Sequence, residues 1–201
     1  MASIRNFKYK IIKNFFPKQE LNILQPYCHN QLGSFTQFPN DPQSFSPAWY
    51  NDELMNTLLG NKESLISKYS GLNVVRTYAY WRYYIYGAHL DSHMDRPACE
   101  ISLTACIKKY DKWPITMDGK DYELEEGDGV IYLGCVLPHS RPGIYKGEGM
   151  AQVFMHYVDR NGPFLHHAHD DFNKKSGYLC QASDKDNKII KEERKKYVKR
   201  K

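Results

Sequence analysis

Two histidines and one aspartate are the side chains in this sequence best suited to metal chemistry. His93 and Asp95 flank Met94, and His139 follows 46 positions after His93. Two imidazoles and one carboxylate can occupy one face of a metal ion and leave the opposite face open, a donor set that suits ferrous iron and dioxygen. The spacing therefore predicts a metal centre at which a bound molecule could be oxidised.

The local sequence indicates how these side chains could meet. Side chains two positions apart in an extended segment point to the same side, so His93 and Asp95 can approach one ion while Met94 points away. His139 follows a turn, a strand and a bend, GDGVIYLGCVLPH, which predicts a position at a strand end. The triplet alone is a weak signal, because a surface histidine beside a hydrogen-bonded aspartate gives the same pattern.

Three segments alternate between two kinds of side chain, as strands with two different faces do. They are VVRTYAYWRYYIYG from Val74, EISLTACIKK from Glu100 and MAQVFMHYV from Met150. In each segment one face is mainly apolar and the other is more polar. We expect a sheet whose apolar face is covered by helices and whose polar face lines a cavity.

The first seventy residues carry the helical signals. Pro17 opens one helical stretch, and Asn51 and Asn61 are candidate N-caps of two more, the second ending at Gly71. Residues 34–48 are rich in proline and are predicted to form an ordered loop. Turn signals rich in Asp and Gly separate the later strands, which favours a sandwich or barrel over βαβ units.

The predicted fold class is α+β, mainly β with packed N-terminal helices. At 201 residues, with 41% hydrophobic and 25% charged residues, the chain can bury one sizeable core. We place the helical part at about 1–72 and the β core at about 74–160, within a single domain spanning 1–182. A basic C-terminal tail at 183–201 completes the predicted organisation.

Charge and cysteine content indicate the setting. Residues 184–201 carry nine Lys and Arg against four acids, which accounts for the whole net charge of +5. We interpret this segment as a solvated helix or frayed tail, with a tether to nucleic acid or an acidic protein as the alternative. Five cysteines without metal-knuckle spacing, no 18-residue apolar run and no signal-peptide cleavage site predict a cytoplasmic protein with free thiols and no membrane span.

An ordered series of motifs surrounds the candidate ligands. It comprises Arg82-Tyr-Tyr84, Gly87, Leu90, His93-Met-Asp95, RPACEIS at 96–102, Trp113-Pro114, Gly127-Asp128, Val130-Ile-Tyr132, Gly134, His139-Ser-Arg141 and the strand from Gln152 to Asp159. In order and spacing, from about Tyr78 to Phe164, the series resembles the 2-oxoglutarate- and Fe(II)-dependent oxygenases, specifically their prolyl-4-hydroxylase-like branch.

This resemblance implies a double-stranded β-helix, a jelly-roll or cupin-like barrel with helices outside its larger sheet. By position, His93, Asp95 and His139 match the family's iron ligands, and Tyr84 matches a tyrosine that hydrogen-bonds the cosubstrate. The implied enzyme is a dioxygenase using Fe(II), 2-oxoglutarate and O2, with ascorbate as a candidate reductant. It would hydroxylate a C–H bond, on a peptide or protein side chain in this branch, and release succinate and CO2.

One departure concerns the far carboxylate of 2-oxoglutarate. The family usually has an Arg or Lys about ten residues after the second histidine, where this chain has Glu148-Gly-Met150. A dicarboxylate in a partly dry cavity needs a cationic partner. Lys108 and Arg141 are the favoured candidates for that partner, and Arg82 is a third.

Other interpretations of the sequence stay open. The missing cation favours a catalytically silent barrel that only binds a ligand, and a cupin-type isomerase or dioxygenase is a third class. An oxygenase of this family could also act on a free amino acid, a nucleobase or another small metabolite. His156 could contact substrate or be a packed core residue, and the run LHHAHDD at 165–171 is interpreted as a surface loop.

Overall fold

The computed structural model describes residues 8–32, 44–170 and 182–198. In chain order, its helices and strands are β1 (Tyr9–Ile12), α1 (Lys18–Gln31), β2 (Ala48–Tyr50), α2 (Glu53–Asn61), α3 (Glu63–Ser70), β3 (Val74–Tyr84), β4 (Leu90–His93), β5 (Ile101–Lys109), β6 (Ile115–Met117), β7 (Lys120–Tyr122), β8 (Gly129–Tyr132), β9 (His139–Arg141), β10 (Met150–Asp159) and α4 (Asp184–Val198). Two short 3-10 turns, Pro97–Cys99 and Leu165–His167, connect some of them.

The strands pair antiparallel in two sheets. The larger sheet has the order β1-β8-β5-β10-β3-β2, and the smaller has the order β4-β9-β6-β7. In the middle of the larger sheet, Val153 of β10 pairs with Trp81 of β3 and with Ala105 of β5. From β3 onward the chain passes repeatedly from one sheet to the other, so the two sheets enclose a space. The predicted mainly β architecture with N-terminal helices is confirmed.

The two faces of β3 have different neighbours, as the alternating pattern predicts. Trp81 is fully buried in the same core as Met55 of α2 and Ile66 of α3. Tyr80 and Tyr84, on the opposite face, line a cavity between the sheets. Burying a large apolar side chain contributes about 1.5–3 kcal/mol to folding. A shift of one residue in the register of β3 would move all of its apolar side chains to the cavity face. The helix-covered face therefore fixes which side chains reach the cavity.

Some helix boundaries differ from those predicted. Asp52, rather than Asn51, caps α2, because its carboxylate accepts a hydrogen bond from the backbone N–H of Met55 at 3.0 Å. α2 continues through Asn61, so the cap predicted there is also wrong. Gly71 ends α3 in the left-handed region at φ 71°, as predicted.

The proline-rich segment predicted to be a loop falls mostly outside the described residues, which omit 33–43. Its end leads into β2, a three-residue strand that pairs with β3. There the rings of Trp49 and Trp81 stack with their centroids 4.0 Å apart. β2 depends on this tertiary pairing, since three residues are too few for a period-two pattern to indicate a strand.

The basic C-terminal segment forms the helix α4, one of the two forms expected for it. Ile190 and Tyr197 pack into the main hydrophobic core, and Nε of Arg194 donates to the carbonyl oxygen of Cys135 at 3.0 Å. Within residues 184–198, this helix is therefore held against the β core. Residues 199–201 lie outside the described part of the chain.

Four of the five cysteines lie among the described residues, and all four are buried free thiols: Cys28, Cys99, Cys106 and Cys135. The prediction of free thiols is confirmed for these four, whereas Cys180 lies outside the described residues. Within residues 8–32, 44–170 and 182–198, no helix combines the length and apolar content needed to cross a membrane.

Candidate metal centre

The smaller sheet brings the three predicted ligands together. His93 ends β4, His139 begins β9, and the two are cross-strand partners. The Nε2 atoms of His93 and His139 lie 3.8 and 3.5 Å from Oδ1 of Asp95, and the two imidazole centroids are 4.2 Å apart. One donor atom from each side chain lies within 4.8 Å of the other two. His139 therefore meets His93 and Asp95 at one point, although it lies 46 positions after His93.

Hydrogen bonds fix which imidazole nitrogen faces that point. Nδ1 of His93 lies 2.8 Å from the carbonyl oxygen of Asp91, and Nδ1 of His139 lies 3.0 Å from that of Leu137. A carbonyl oxygen can only accept, so each Nδ1 carries the proton and donates. In the neutral imidazoles, both Nε2 atoms then keep a lone pair, which is the tautomer that a metal ligand needs.

The carboxylate of Asp95 is also held in place. The backbone N–H of Asp95 donates to the carbonyl oxygen of Gly134 at 2.9 Å, and Oγ of Ser102 donates to Oδ2 of Asp95 at 2.9 Å. A Cβ atom at position 134 would overlap Oδ2 of Asp95, Oγ of Ser102 and the carbonyl oxygen of Cys99. Only glycine allows the backbone to approach the carboxylate this closely.

The protonation states at this point suit a divalent cation. Burial alone would raise the pKa of Asp95, but the facing histidines, above all His139, hold that pKa at about 2. Burial lowers the pKa of His93, and the charge on His139 acts in the same direction. Burial also opposes protonation of His139, although the Asp95 carboxylate outweighs it and raises the pKa of His139. Without a metal ion, His139 therefore takes up a second proton on Nε2 more readily than a free imidazole. A divalent cation would displace that proton, and the resulting carboxylate with two imidazole lone pairs fits Fe(II).

The larger sheet supplies the other wall of the cavity. Tyr80, Arg82 and Tyr84 line it from β3, and Phe154 and His156 line it from β10. The side chain of Tyr84 is fully buried, and its hydroxyl has no hydrogen-bond partner among the described residues. A buried hydroxyl without a partner costs free energy. Tyr84 therefore offers a hydrogen-bond donor to a ligand in the cavity.

Two arginines lie near the ring of Tyr84. Arg141 is 5% exposed, donates from Nη1 to the carbonyl oxygen of Trp113, and has its guanidinium 5.5 Å from the centroid of the Tyr84 ring. Nε of Arg141 has no hydrogen-bond partner in the part of the chain that the structure describes. The guanidinium of Arg82 lies 5.6 Å from the centroid of the same ring. Both cations therefore lie in the cavity, next to the candidate cosubstrate residue.

Lys108, by contrast, lies on the other side of the larger sheet. The register of β5 against β10 shifts, so that Gln152 pairs with Cys106 but Ala151 pairs with Lys108. Such a bulge turns the following side chain to the opposite face, and Lys108 lies on the side covered by α1. There its Nζ is 2.9 Å from Oε1 of Glu126. This position does not support the prediction that Lys108 holds the cosubstrate.

Sequence reasoning missed the role of Ser102 and left that of His156 open. Oγ of Ser102 lies 3.0 Å from Nδ1 of His156, and its proton goes to the carboxylate of Asp95, the stronger acceptor. Nδ1 of His156 must then donate, so its Nε2 is an acceptor. This Nε2 is buried without a partner among the described residues. Burial lowers the pKa of His156 to about 4, so the imidazole is neutral. The one signal in the sequence was that Ser102 falls on the polar face of its strand.

The run LHHAHDD is more than a surface loop. The side chain of His166 is 51% exposed, but His167 is buried, and both imidazoles face the carboxylate of Asp186 in α4. Nε2 of His166 lies 3.1 Å from Oδ1, and Nε2 of His167 lies 3.3 Å from Oδ2. The surface interpretation is therefore wrong for His167. Its partner lies 19 positions later, beyond the reach of any periodic pattern.

Solved structures of other proteins resemble this chain, whereas no protein-family model and no curated protein sequence matches it. A prolyl-4-hydroxylase from Pseudomonas putida has a TM-score of 0.60 and 15% identity, covering 78% of this chain and 95% of its own. A prolyl hydroxylase from Trichoplax adhaerens, in complex with a peptide fragment of hypoxia inducible factor, has a TM-score of 0.60 and 14% identity. The match covers 76% of this chain and 84% of the hydroxylase chain. The alpha-ketoglutarate-dependent epimerase SnoN from nogalamycin biosynthesis has a TM-score of 0.65 and 10% identity. This match covers 87% of this chain and 86% of the SnoN chain.

At such low identities, these similarities concern architecture. They extend over three quarters or more of this chain. The barrel implied by the resemblance in the series of motifs is confirmed. The chain has the double-stranded β-helix fold of the 2-oxoglutarate- and Fe(II)-dependent oxygenases.

Proposed function

We propose that this protein is an Fe(II)- and 2-oxoglutarate-dependent dioxygenase that hydroxylates a C–H bond. The observation that carries the proposal is the convergence of His93, Asp95 and His139, with both Nε2 lone pairs left free by backbone hydrogen bonds. These three residues would hold the iron. When bound, ferrous iron supplies the redox chemistry that couples decarboxylation of 2-oxoglutarate, to succinate and CO2, with oxidation of a substrate.

Arg141 and Tyr84 are proposed to bind the cosubstrate. A dicarboxylate that enters a buried cavity must exchange its water for charged or hydrogen-bonding partners. Nε of Arg141 and the hydroxyl of Tyr84 are buried donors without partners among the described residues, and their side chains lie against each other. Arg82 adds a second positive charge beside them. This arrangement compensates for the cation missing at Glu148-Gly-Met150.

A peptide or protein side chain is the proposed substrate. The prolyl-4-hydroxylase-like series of motifs supports this class, as does the similarity to a prolyl hydroxylase that binds a peptide fragment. In the cavity, stacked rings of Tyr80 and Phe154, with centroids 4.5 Å apart, form an apolar wall. Nε2 of His156 beside them would accept a hydrogen bond from a substrate N–H or O–H group. This combination suits a substrate with one apolar surface and one donor.

A small-molecule substrate, such as a free amino acid, a nucleobase or another metabolite, is the alternative. SnoN, whose fold is similar, is an epimerase from nogalamycin biosynthesis, so the reaction outcome also varies among proteins of this architecture. A screen of peptides and small molecules, scored by succinate formation, separates the two substrate classes. Succinate formation only with small molecules would contradict the peptide proposal.

The metal and cosubstrate assignment is tested by anaerobic reconstitution with Fe(II). We expect a visible charge-transfer band when 2-oxoglutarate is added, and we expect Asp95→Ala to lose both this band and succinate release. Asp91→Asn is the matched control, because its side chain is exposed on β4, four positions before Asp95. Absence of the band in the wild-type protein, or full turnover by Asp95→Ala, would refute the assignment.

The second candidate is a catalytically silent barrel that binds a ligand without turnover. The absence of a cation at Glu148-Gly-Met150 of the sequence favours it. Such a protein could bind Fe(II) and 2-oxoglutarate, and thus show the band, yet release no succinate with any substrate class. Single-turnover exposure to O2 distinguishes the two functions, because an oxygenase consumes the bound 2-oxoglutarate and a silent module does not.

A further inference from the structure

A second cluster of candidate metal ligands lies outside the cavity, between the 3-10 turn Leu165–His167 and the first turn of α4. His166, His167 and Asp186 each offer one donor atom within 4.8 Å of the other two. The cluster contains none of the residues at the candidate iron site. Asp186 and His167 are buried, at 1% and 5% exposure, whereas the half-exposed imidazole of His166 borders solvent. An ion could therefore enter from the side of His166.

The two oxygens of the Asp186 carboxylate have different surroundings. Oδ2 accepts from the backbone N–H and the hydroxyl of Ser183, at 3.0 and 2.8 Å, and lies 3.3 Å from Nε2 of His167. Oδ1 is buried and accepts no hydrogen bond from any described residue, although Nε2 of His166 is only 3.1 Å away. A buried carboxylate oxygen without a partner is costly. The short distance without hydrogen-bond geometry is what two ligands of a common ion would show.

We propose that His166, His167 and Asp186 bind a divalent cation of the zinc type. Tetrahedral zinc binds nitrogen at 2.0–2.1 Å and carboxylate oxygen at 2.0–2.2 Å, which places neighbouring ligands about 3.3 Å apart. The observed separations of 3.1 and 3.3 Å match this value. Two neutral imidazoles and one carboxylate reduce the charge of the ion to +1, and water would complete the fourth position.

Such an ion would join two parts of the chain. Its histidines follow β10, and its aspartate belongs to the helix that packs on the core through Ile190 and Tyr197. Metal binding would therefore stabilise the docking of α4. Without an ion, the same side chains would form only an ion-pair network, which would leave Oδ1 of Asp186 without a hydrogen bond.

The experiment uses the full chain with Asp95→Ala, so that the candidate iron site no longer competes for the probe. Zn(II) affinity is measured against a chromophoric chelator, and Co(II) absorption reports the coordination number. We expect one equivalent of zinc and the intense visible bands of four-coordinate cobalt. Adding His166→Asn should weaken zinc binding more than about 100-fold, because loss of even an outer-shell partner costs about 10–100-fold.

His169→Asn is the matched control, since His169 is an exposed histidine three positions after His166 that is not part of the cluster. It should leave zinc affinity unchanged. His166→Asn changes a half-exposed side chain, and circular dichroism verifies that this variant is folded. The proposal is overturned if the folded Asp95→Ala protein binds no zinc, or if His166→Asn binds zinc as tightly as its parent.

Discussion

At the scale of single residues, Ser102 links the candidate ligand Asp95 to His156. Its one hydroxyl donates to Oδ2 of Asp95 and accepts from Nδ1 of His156. The same contact therefore holds the carboxylate in position and fixes the tautomer of an imidazole in the cavity. Residues that hydrogen-bond a metal ligand orient it, and changing them typically weakens metal binding.

Ser102→Ala is expected to weaken Fe(II) binding by about 10–100-fold, because Asp95 loses the donor that orients it. Anaerobic titration against a chelator measures this change, and thermal unfolding of the apoprotein shows whether the fold is intact. Thr104→Val is the control, since Thr104 is the next cavity-side residue of β5 and its hydroxyl accepts from Gln152 instead. Equal loss of iron affinity in both variants would contradict a specific role for Ser102.

Arg141→Gln is expected to raise the KM for 2-oxoglutarate about 10–100-fold. A buried hydrogen bond to a charged group contributes about 1.5–3 kcal/mol, which corresponds to that range of affinity. Lys108→Gln should leave this KM unchanged, because Lys108 pairs with Glu126 on the helix-covered face. Steady-state kinetics of succinate release provide the comparison, and the opposite ranking would restore Lys108 as the anchor.

The sequence predicted correctly which of these side chains face the cavity only where the backbone of a single strand determines their direction. The spacing of His93 and Asp95 sufficed to predict convergence, because extended backbone places both on one side. The same rule put Lys108 on the cavity side, and it failed because a bulge interrupts the alternation at that end of β5. A bulge is a property of paired strands, so one strand's sequence does not contain it.

At the scale of elements, one carboxylate joins the turn before β8 to the turn that follows β1. Asp128 accepts from Nζ of Lys13 at 2.6 Å, from the backbone N–H of Asn14 at 3.2 Å and from that of Glu125 at 3.0 Å. Burial alone would raise the pKa of Asp128, but Lys13 and these donors lower it. The ionised form is therefore bound more strongly in the folded chain than in the unfolded one.

Asp128→Asn is expected to lower the free energy of unfolding by about 1–3 kcal/mol at pH 7. Because the folded pKa is depressed, the contribution of Asp128 is present above its unfolded value of about 3.9 and is lost as pH falls through the folded value. The stability gap between wild type and variant should thus narrow towards about pH 3. Urea titrations at pH 7 and at about pH 3 measure this difference in the free energy of unfolding. The control Asp91→Asn should have almost the same free energy of unfolding as the wild type at both pH values.

The N-caps of the helices were predicted less accurately than the strands. Asn51 and Asp52 are both good capping residues, and propensity cannot choose between neighbours. The fold chooses Asp52, because its other oxygen also accepts from the hydroxyl of Tyr27 at 2.7 Å and from Nε1 of Trp81 at 3.3 Å. The long strands had no such ambiguity, since their two-faced pattern extends over nine or more residues.

At the scale of the whole molecule, ligand binding should raise the thermal stability of the protein. A ligand at 100 times its Kd stabilises the folded state by about 2.7 kcal/mol, which for a chain of this size is about 5–10 °C in Tm. We expect anaerobic Fe(II) with 2-oxoglutarate to raise the Tm by that amount. Asp95→Ala should show no shift, and an equal shift in that variant would mean that the ligands bind elsewhere.

The architecture as a whole was predictable because its signals are redundant. Three two-faced strands and a long ordered series of motifs indicated one barrel, and an error in any one of them would not have changed that conclusion. The docking of α4 was not predictable, because it depends on single contacts such as Arg194 with the carbonyl oxygen of Cys135. Composition indicates only that such a charged segment can be helical.

The pairing of His93 directly opposite His139 sets the order of events when the protein matures. Displacing β4 or β9 by one residue would turn one imidazole away from the other. A chain in which these strands are not yet paired therefore lacks the complete set of metal ligands. Loading must follow completion of the smaller sheet. If the site binds iron as proposed, newly made protein would fold first as an apoprotein and take up the metal afterwards.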